Sequence, residues 1–354
     1  MAARERVRVP KTPAKTLQLN DTTTPSDPGS VSNPMDRRAA LLTIATIMGA
    51  SAVEALTGLD GAELAAVLNA TTRKLRSRLD VGPAEQVYRA ITRHADRINR
   101  LVATYDDRRM HAAHAEALGR AGFIAYYDLA WPQTATRHLS DALSAAERAG
   151  DRELVAWVLC FQAHPATHNG QPELGRRLVG AGFAALAKVE GAPVATSLWL
   201  REVTASTLAR DERAALAAIE QTASATQRAY GRVGWLPLTA WTADSRAGAC
   251  YLAFGRLPQA EQALDRALAL MPNWHRDHGT ILADRAQLAA LRGELEQAAA
   301  VASEGLSAAI MSGSRGDQRR TLRPWRHLAP HQRDIPAVRE LGEQLQVAGL
   351  LPAA

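Results

Sequence analysis

The apolar positions of this chain group around short turns. At Gly255-Arg256-Leu257-Pro258 two helical runs meet. The first carries Ala247, Gly248, Tyr251 and Leu252. The second carries Ala260, Ala263, Leu264, Ala267 and Leu268 at the spacing of an amphipathic helix, and Pro272 ends it. Gly248, Ala260 and Ala267 are small enough for close approach of the two helices, and Tyr251 and Leu264 fill the space between. The pattern recurs around Ala130, Gly170, Arg210 and Gly293. The helices that follow these turns pack Ala135 and Leu139, Gly175 and Val179, Ala215 and Ile219, and Ala298 and Ala302. Successive turns lie 40, 40, 45 and 38 residues apart. Each hairpin alone leaves an apolar face in water, and stacking covers it. An all-α array is therefore expected over 108–312.

The flanks read differently. Residues 1–34 hold polar residues, prolines and a basic run from Arg4 to Lys15, too little apolar surface for a core. In 35–107, Asp60 opens a helix with Leu64, Val67, Leu68 and Leu75 on one side. Pro83 opens another, with Val87, Ile91, Ile98, Val102 and Tyr105 opposite a charged face, expected to lie on the array. In 313–354 an Arg-rich stretch reads as a solvated loop beside helix C-termini. A final helix from Pro336, with Val338, Leu341, Leu345 and Val347, should cap the array.

The hairpin at 244–272 resembles the tetratricopeptide repeat. Gly248, Tyr251, Ala260 and Pro272 match that family's spacing, while Asp244, Ala247 and Leu264 replace its Trp, Leu and Phe. The resemblance implies a right-handed superhelix of stacked hairpins. A wider resemblance rests on Asp36-Arg37-Arg38 before an apolar run, AGFIAYYDL at 121–129, ERAGD at 147–151 and IPAVREL at 335–341. Over roughly 36–350 these look like the effector half of actinobacterial tetratricopeptide transcriptional regulators of the Xre-like class. The resemblance implies a sensor, and two cysteines with no disulfide framework point to the cytoplasm. In that family a helix-turn-helix reader precedes the Asp-Arg-Arg segment, and 34 polar residues are too few to fold one. DNA contact is accordingly expected only indirectly or non-specifically, through phosphates.

Composition sharpens this in one respect and opens an alternative in another. Of 354 residues 47% are hydrophobic but only 5% aromatic, the balance of close-packed Ala- and Leu-rich helices. The net charge of +6 permits nucleic-acid contact without requiring it. Segment 36–53, DRRAALLTIATIMGASAV, is either a buried helix or a signal or anchor for an exported repeat scaffold. Its uncharged run is short for a membrane span.

No phosphate loop, dinucleotide fingerprint or nucleophile elbow occurs, so no catalytic residue, cofactor or metal is assigned. Cys160 and Cys250 read as small core hydrophobes. The first helix of each hairpin should line a concave wall, which assigns Arg120, Tyr127 and Asp128, then Trp157, His164 and His168, then Thr204, Ser245 and Gln287 as ligand-binding positions. Trp157, His164 and His168 share one helix face. Arg120 is expected to be exposed, to pair with a ligand carboxylate, and to be removable at little cost in stability. A peptide or protein is the expected partner, and a second copy of the chain a further candidate.

Overall fold

The computed structural model describes residues 60–352, apart from 81, 188, 190–191, 230–239 and 272–274. The chain divides into two units, 1–55 and 56–354, and the described residues all belong to the second. The basic tail 1–34 and the apolar segment 36–53, on which the export alternative rests, lie outside the described residues.

Among the described residues all regular structure is helical. Helices α1 (Gly61–Ser77) and α2 (Ala84–Tyr105) precede five hairpins. These are α3 (Arg108–Tyr127) with α4 (Pro132–Ala149), α5 (Arg152–His168) with α6 (Pro172–Leu186), and α7 (Val194–Leu208) with α8 (Glu212–Ala229). They continue with α9 (Ala240–Ala253) and α10 (Leu257–Leu270), then α11 (His278–Leu291) and α12 (Leu295–Ser312). Each first helix packs on its own partner, on the preceding second helix and on the neighbouring first helices, as in a right-handed superhelix of tetratricopeptide-like repeats. Helix α2 lies on the array as one helix, packed on α3, and it also pairs with α1, which packs on α3 as well.

The five turns share one geometry. Ala130, Gly170, Arg210, Gly255 and Gly293 all have positive φ, between 59° and 82°. Behind each, the next residue donates its N–H to a carbonyl five or six residues back: Trp131 to Ala125, six back, and Gln171 to Ala166, Asp211 to Ser206, Arg256 to Tyr251 and Glu294 to Ala289, five back. This left-handed stop satisfies the last carbonyls of the first helix and turns the chain back sharply. Proline then starts the second helix at Pro132 and Pro172, where its missing N–H costs nothing.

Within a hairpin the helices approach at glycine. A Cβ at Gly122 would lie 2.7 Å from Leu139 Cγ, and one at Gly248 would lie 2.7 Å from Leu264 Cγ. The core is a row of small clusters between neighbouring hairpins. In one, Ala260, Leu264 and Ala267 of α10 meet Trp241, Ile281 and Leu288. A leucine buried like Leu264 contributes about 1.5–3 kcal/mol.

The Arg-rich stretch expected as a loop is helical. It forms α13 (Arg315–Arg320) and α14 (Leu322–Leu328), followed by α15 (Pro336–Val347). Ser314 caps α13 by accepting the Asp317 N–H at 3.2 Å, and Asp317, Gln318 and Arg320 are buried. Tertiary contacts, which leave no periodicity in so short a run, fix these helices. On α15, Val338, Leu341 and Leu345 pack into the last core cluster while Val347 is exposed.

The turns yield a stability test. Ala130 and Arg210 occupy a backbone region that costs an L-residue about 1–2 kcal/mol. Ala130→Gly should raise unfolding stability by about 0.5–1 kcal/mol after the entropic cost of glycine, and Gly170→Ala should lower it by about 1–2 kcal/mol. Urea denaturation of both variants measures the pair, and equal midpoints would contradict a shared turn.

Candidate functional site

The first helices present one stripe of positions to the inside of the array. The stripe falls thirteen, nine, six and two residues before each turn residue, the i, i+4, i+7 recurrence of a helix face. Two cavities open along it. One, of about 300 Å³, is lined by Arg120, Tyr127, His164 and Ser245 together with Phe123, Phe161, Arg201, Trp241 and Arg276. The other, of about 420 Å³, lies toward the C-terminal ends of the first helices and is lined by His168, Thr204 and Gln287 with Arg320 and Arg323. Arg246 borders both.

Two residues expected on this wall line neither cavity. Trp157 is 0% exposed. Its ring packs 4.3 Å from that of Phe161, lies against Gly119 where no side chain would fit, and sits 5.1 Å from the Arg120 guanidinium carbon. Asp128, also 0% exposed, is taken up in an ion pair with Arg276. Arg120 borders the first cavity but is only 5% exposed, contrary to the expected free side chain. It pairs with Glu116 at 3.8 Å, and burial pushes its pKa down to about 10 in spite of that carboxylate. Its removal would therefore leave a buried Glu116 carboxylate without its cation, a structural loss before any ligand is considered.

The pair Asp128–Arg276 belongs to a closure between distant parts of the chain. Arg276 reaches both Asp128 carboxylate oxygens, the second at 3.3 Å, and its Nε lies 3.5 Å from Asp277. The Arg315 N–H donates to the Asp128 carbonyl at 2.9 Å. The Tyr127 hydroxyl and the Thr280 hydroxyl both donate to Asp317 Oδ1. Burial alone would lower the Arg276 pKa, but Asp128, Asp277 and Asp317 hold it above its usual value. Burial first, and Asp317 second, hold the Tyr127 phenol protonated.

His164 and His168 lie ring against ring at 4.4 Å. His164 Nδ1 is 3.0 Å from Arg201 Nη1. Burial, followed by Arg201, depresses the His164 pKa well below its usual value; burial, followed by Arg320 and Arg246, does the same for His168. Both rings are neutral at pH 7. Among the described residues no group of three or more His, Cys, Asp or Glu is placed to hold a metal. Cys160 and Cys250 are both free and buried.

Sequence reasoning missed the position nine residues before each turn. Phe161, Arg201, Arg246 and Asp284 occupy it in successive hairpins. The signal was available: the offsets of Trp157, His164 and His168 from Gly170 skip this place in the same stripe. Arg246 has no hydrogen-bonding or ion-pair partner among the described residues. Burial, with Arg320 and Arg201 nearby, lowers its pKa to about 10.

No family profile and no curated protein matches the sequence. Solved structures share the fold. The NprR protein in complex with its cognate peptide NprX is 14% identical, with 91% of this chain and 90% of that chain covered and a TM-score of 0.54. A Rap protein complexed with the competence and sporulation factor is 13% identical, with 81% and 88% covered and a TM-score of 0.50. Among the described residues no helix is long and apolar enough to cross a membrane.

Two measurements test this geometry. Arg276→Ala leaves Asp128 charged and buried, so unfolding stability should fall by about 3–5 kcal/mol. A loss under about 1 kcal/mol would mean that the closure is not held by this pair. The histidines give a pH dependence. His164, His168 and His114, the last lowered to about 4 chiefly by burial, resist protonation when folded, whereas the unfolded chain takes up protons from about pH 6.5. Their contribution is thus fully present above pH 6.5 and is lost as pH falls toward 4. Melting temperatures should drop over that window, and less steeply in His164→Phe. A flat profile would mean that the rings are solvated.

Proposed function

We propose that this chain is a regulatory module that captures a peptide along the inner wall of its helical array and serves transcriptional control through a partner chain. The observation that carries the reading is the placement of two cavities on consecutive first helices, meeting at Arg246 and walled by polar and aromatic side chains such as Tyr127, Trp241, Ser245, Thr204 and Gln287. An extended peptide needs hydrogen-bonding partners at regular intervals, and repeats stacked side by side provide them. The NprR and Rap structures, which share the fold, are complexes with a cognate peptide and with the competence and sporulation factor. The resemblance to Xre-like regulators supports transcription as the process served.

Purification from the native host, followed by acid dissociation and mass spectrometry, tests the reading. A peptide near one equivalent per chain is expected. Thr204→Trp, which fills the second cavity from a position facing it, should retain the fold by circular dichroism and lose the peptide. Recovery of a folded protein partner that binds the Thr204→Trp variant equally well would overturn capture on the inner wall and place recognition on an outer face.

A further inference from the structure

The larger cavity carries an unusual electrostatic balance. Five arginines and two histidines line it, and no aspartate or glutamate does. They come from two directions. Arg246 projects from α9, and Arg320, Arg323 and Arg326 come from α13 and α14, which the closure holds against the array. Among the described residues Asp284 is the one carboxylate within ion-pair distance of any of these four, although against burial Asp317 and Asp277, farther away, also hold the Arg320 pKa up. Asp284 lies 3.5 Å from Arg320 Nη1 and 3.5 Å from Arg323 Nη1, so two guanidinium groups share one negative charge. Arg246 and Arg326 have no carboxylate within ion-pair distance among the described residues. His168 Nε2, at the same cavity, is shut off from solvent and has no hydrogen-bond partner.

Such an arrangement is costly for an empty fold. Gathering cations in a partly desolvated space raises their mutual repulsion, because the local dielectric is far below that of water. Arg246 shows the effect: burial and the neighbouring Arg320 and Arg201 hold its pKa down at about 10. Arg323 is lowered in the same way, by burial and then by Arg320. Arg210, Arg326 and His327 of the lining are exposed and relieve part of this repulsion in solvent, whereas Arg246, Arg320 and Arg323 are not. Here the closure through Asp317 and Asp128 fixes the cationic helices in place, as preorganised donors in a binding site are fixed.

We propose that this cavity is the seat of carboxylate side chains of the ligand, so that the captured peptide is acidic, with Arg246 and Arg323 as the principal contacts. The proposal rests on the peptide reading given above and adds the chemistry of the ligand to it. Guanidinium groups bind carboxylates with two parallel hydrogen bonds, which provides orientation as well as charge. The Thr204 and Gln287 side chains border the same space and offer hydrogen bonds to the peptide backbone. The cavity, at about 420 Å³, holds one or two acidic side chains rather than a whole peptide.

The experiment uses the full chain and three probes: triglutamate, triglutamine amide and inorganic pyrophosphate. Calorimetry and thermal melts are recorded for the wild type and for Arg246→Met. Triglutamate should bind and raise the melting temperature, triglutamine amide should bind at least about tenfold more weakly, and affinity should fall with added salt. Arg246→Met removes an unpaired cation, so the variant without ligand should melt no lower than the wild type, yet bind triglutamate at least about tenfold more weakly. That combination separates a ligand contact from a folding defect. Equal affinity for triglutamate and triglutamine amide, or unchanged triglutamate affinity in Arg246→Met, would overturn the proposal. Tight pyrophosphate binding without triglutamate binding would overturn it too, in favour of a phosphate ligand. A host peptide without acidic residues would sink the acidic site and leave peptide capture standing. Triglutamate binding with no host peptide recovered would do the reverse.

Discussion

Closure of the array depends on a carboxylate with no solvent of its own. Asp317 accepts from Tyr127 and Thr280, while its neighbour Arg315 donates a backbone hydrogen bond to Asp128, whose side chain is paired with Arg276. The Tyr127–Asp317 and Asp128–Arg276 contacts join residues 190 and 148 positions apart in sequence. Stacked repeats otherwise touch only their neighbours, so stability adds up locally and the two ends ignore each other. Here a change at the α3 end is felt at α13. The same contacts hold α13 and α14 over the inner wall, which sets the shape of the larger cavity and the direction from which its arginines enter.

The wall combines two kinds of buried polarity. Around Asp128, Arg276 and Asp317 the Asp128 carboxylate is paired with Arg276 and Asp317 is held by two hydroxyl groups, and the effect is rigidity. Around Arg246, Arg320 and Arg323 the charges are of one sign, with Asp284 divided between two of them. Neutral His164 and His168 stand between the two regions, kept unprotonated by burial and by the surrounding guanidinium groups. The first region is an element of the fold. The second holds more cations than carboxylates within ion-pair distance, and it is this imbalance that the proposed acidic ligand would offset.

How much of this was legible in the sequence depended on the range of the contacts concerned. Ala130, Gly170, Arg210, Gly255 and Gly293 were identified as turns from local patterning, and all five adopt the left-handed conformation, because turn chemistry is decided within a few residues. The stripe containing His164 and His168 was also accessible, since helical periodicity is local. Arg120 was read as exposed and Trp157 as a ligand-binding wall position for want of tertiary information: Trp157 is covered because Gly119 on the neighbouring helix leaves room for its ring, and Arg120 because that ring and Glu116 enclose it. Arg246 in an Ala-rich helix looks like an ordinary solvent-facing cation until α13 and α14 are folded over it. Those helices were themselves invisible, being short and held by partners far away in sequence.

The stripe position occupied by Phe161, Arg201, Arg246 and Asp284 has a further consequence. Repeats of identical geometry would offer an extended guest the same contacts whichever way round it lay. Phe161, Arg201 and Arg246 of this row line the cavities, so the chemistry on offer changes from aromatic to cationic along the array, while Asp284 is buried outside both. The groove therefore has a polarity, and a chain threaded N-to-C along it meets a different order of chemistry from one threaded in reverse. Direction, and not composition alone, becomes something the protein can distinguish.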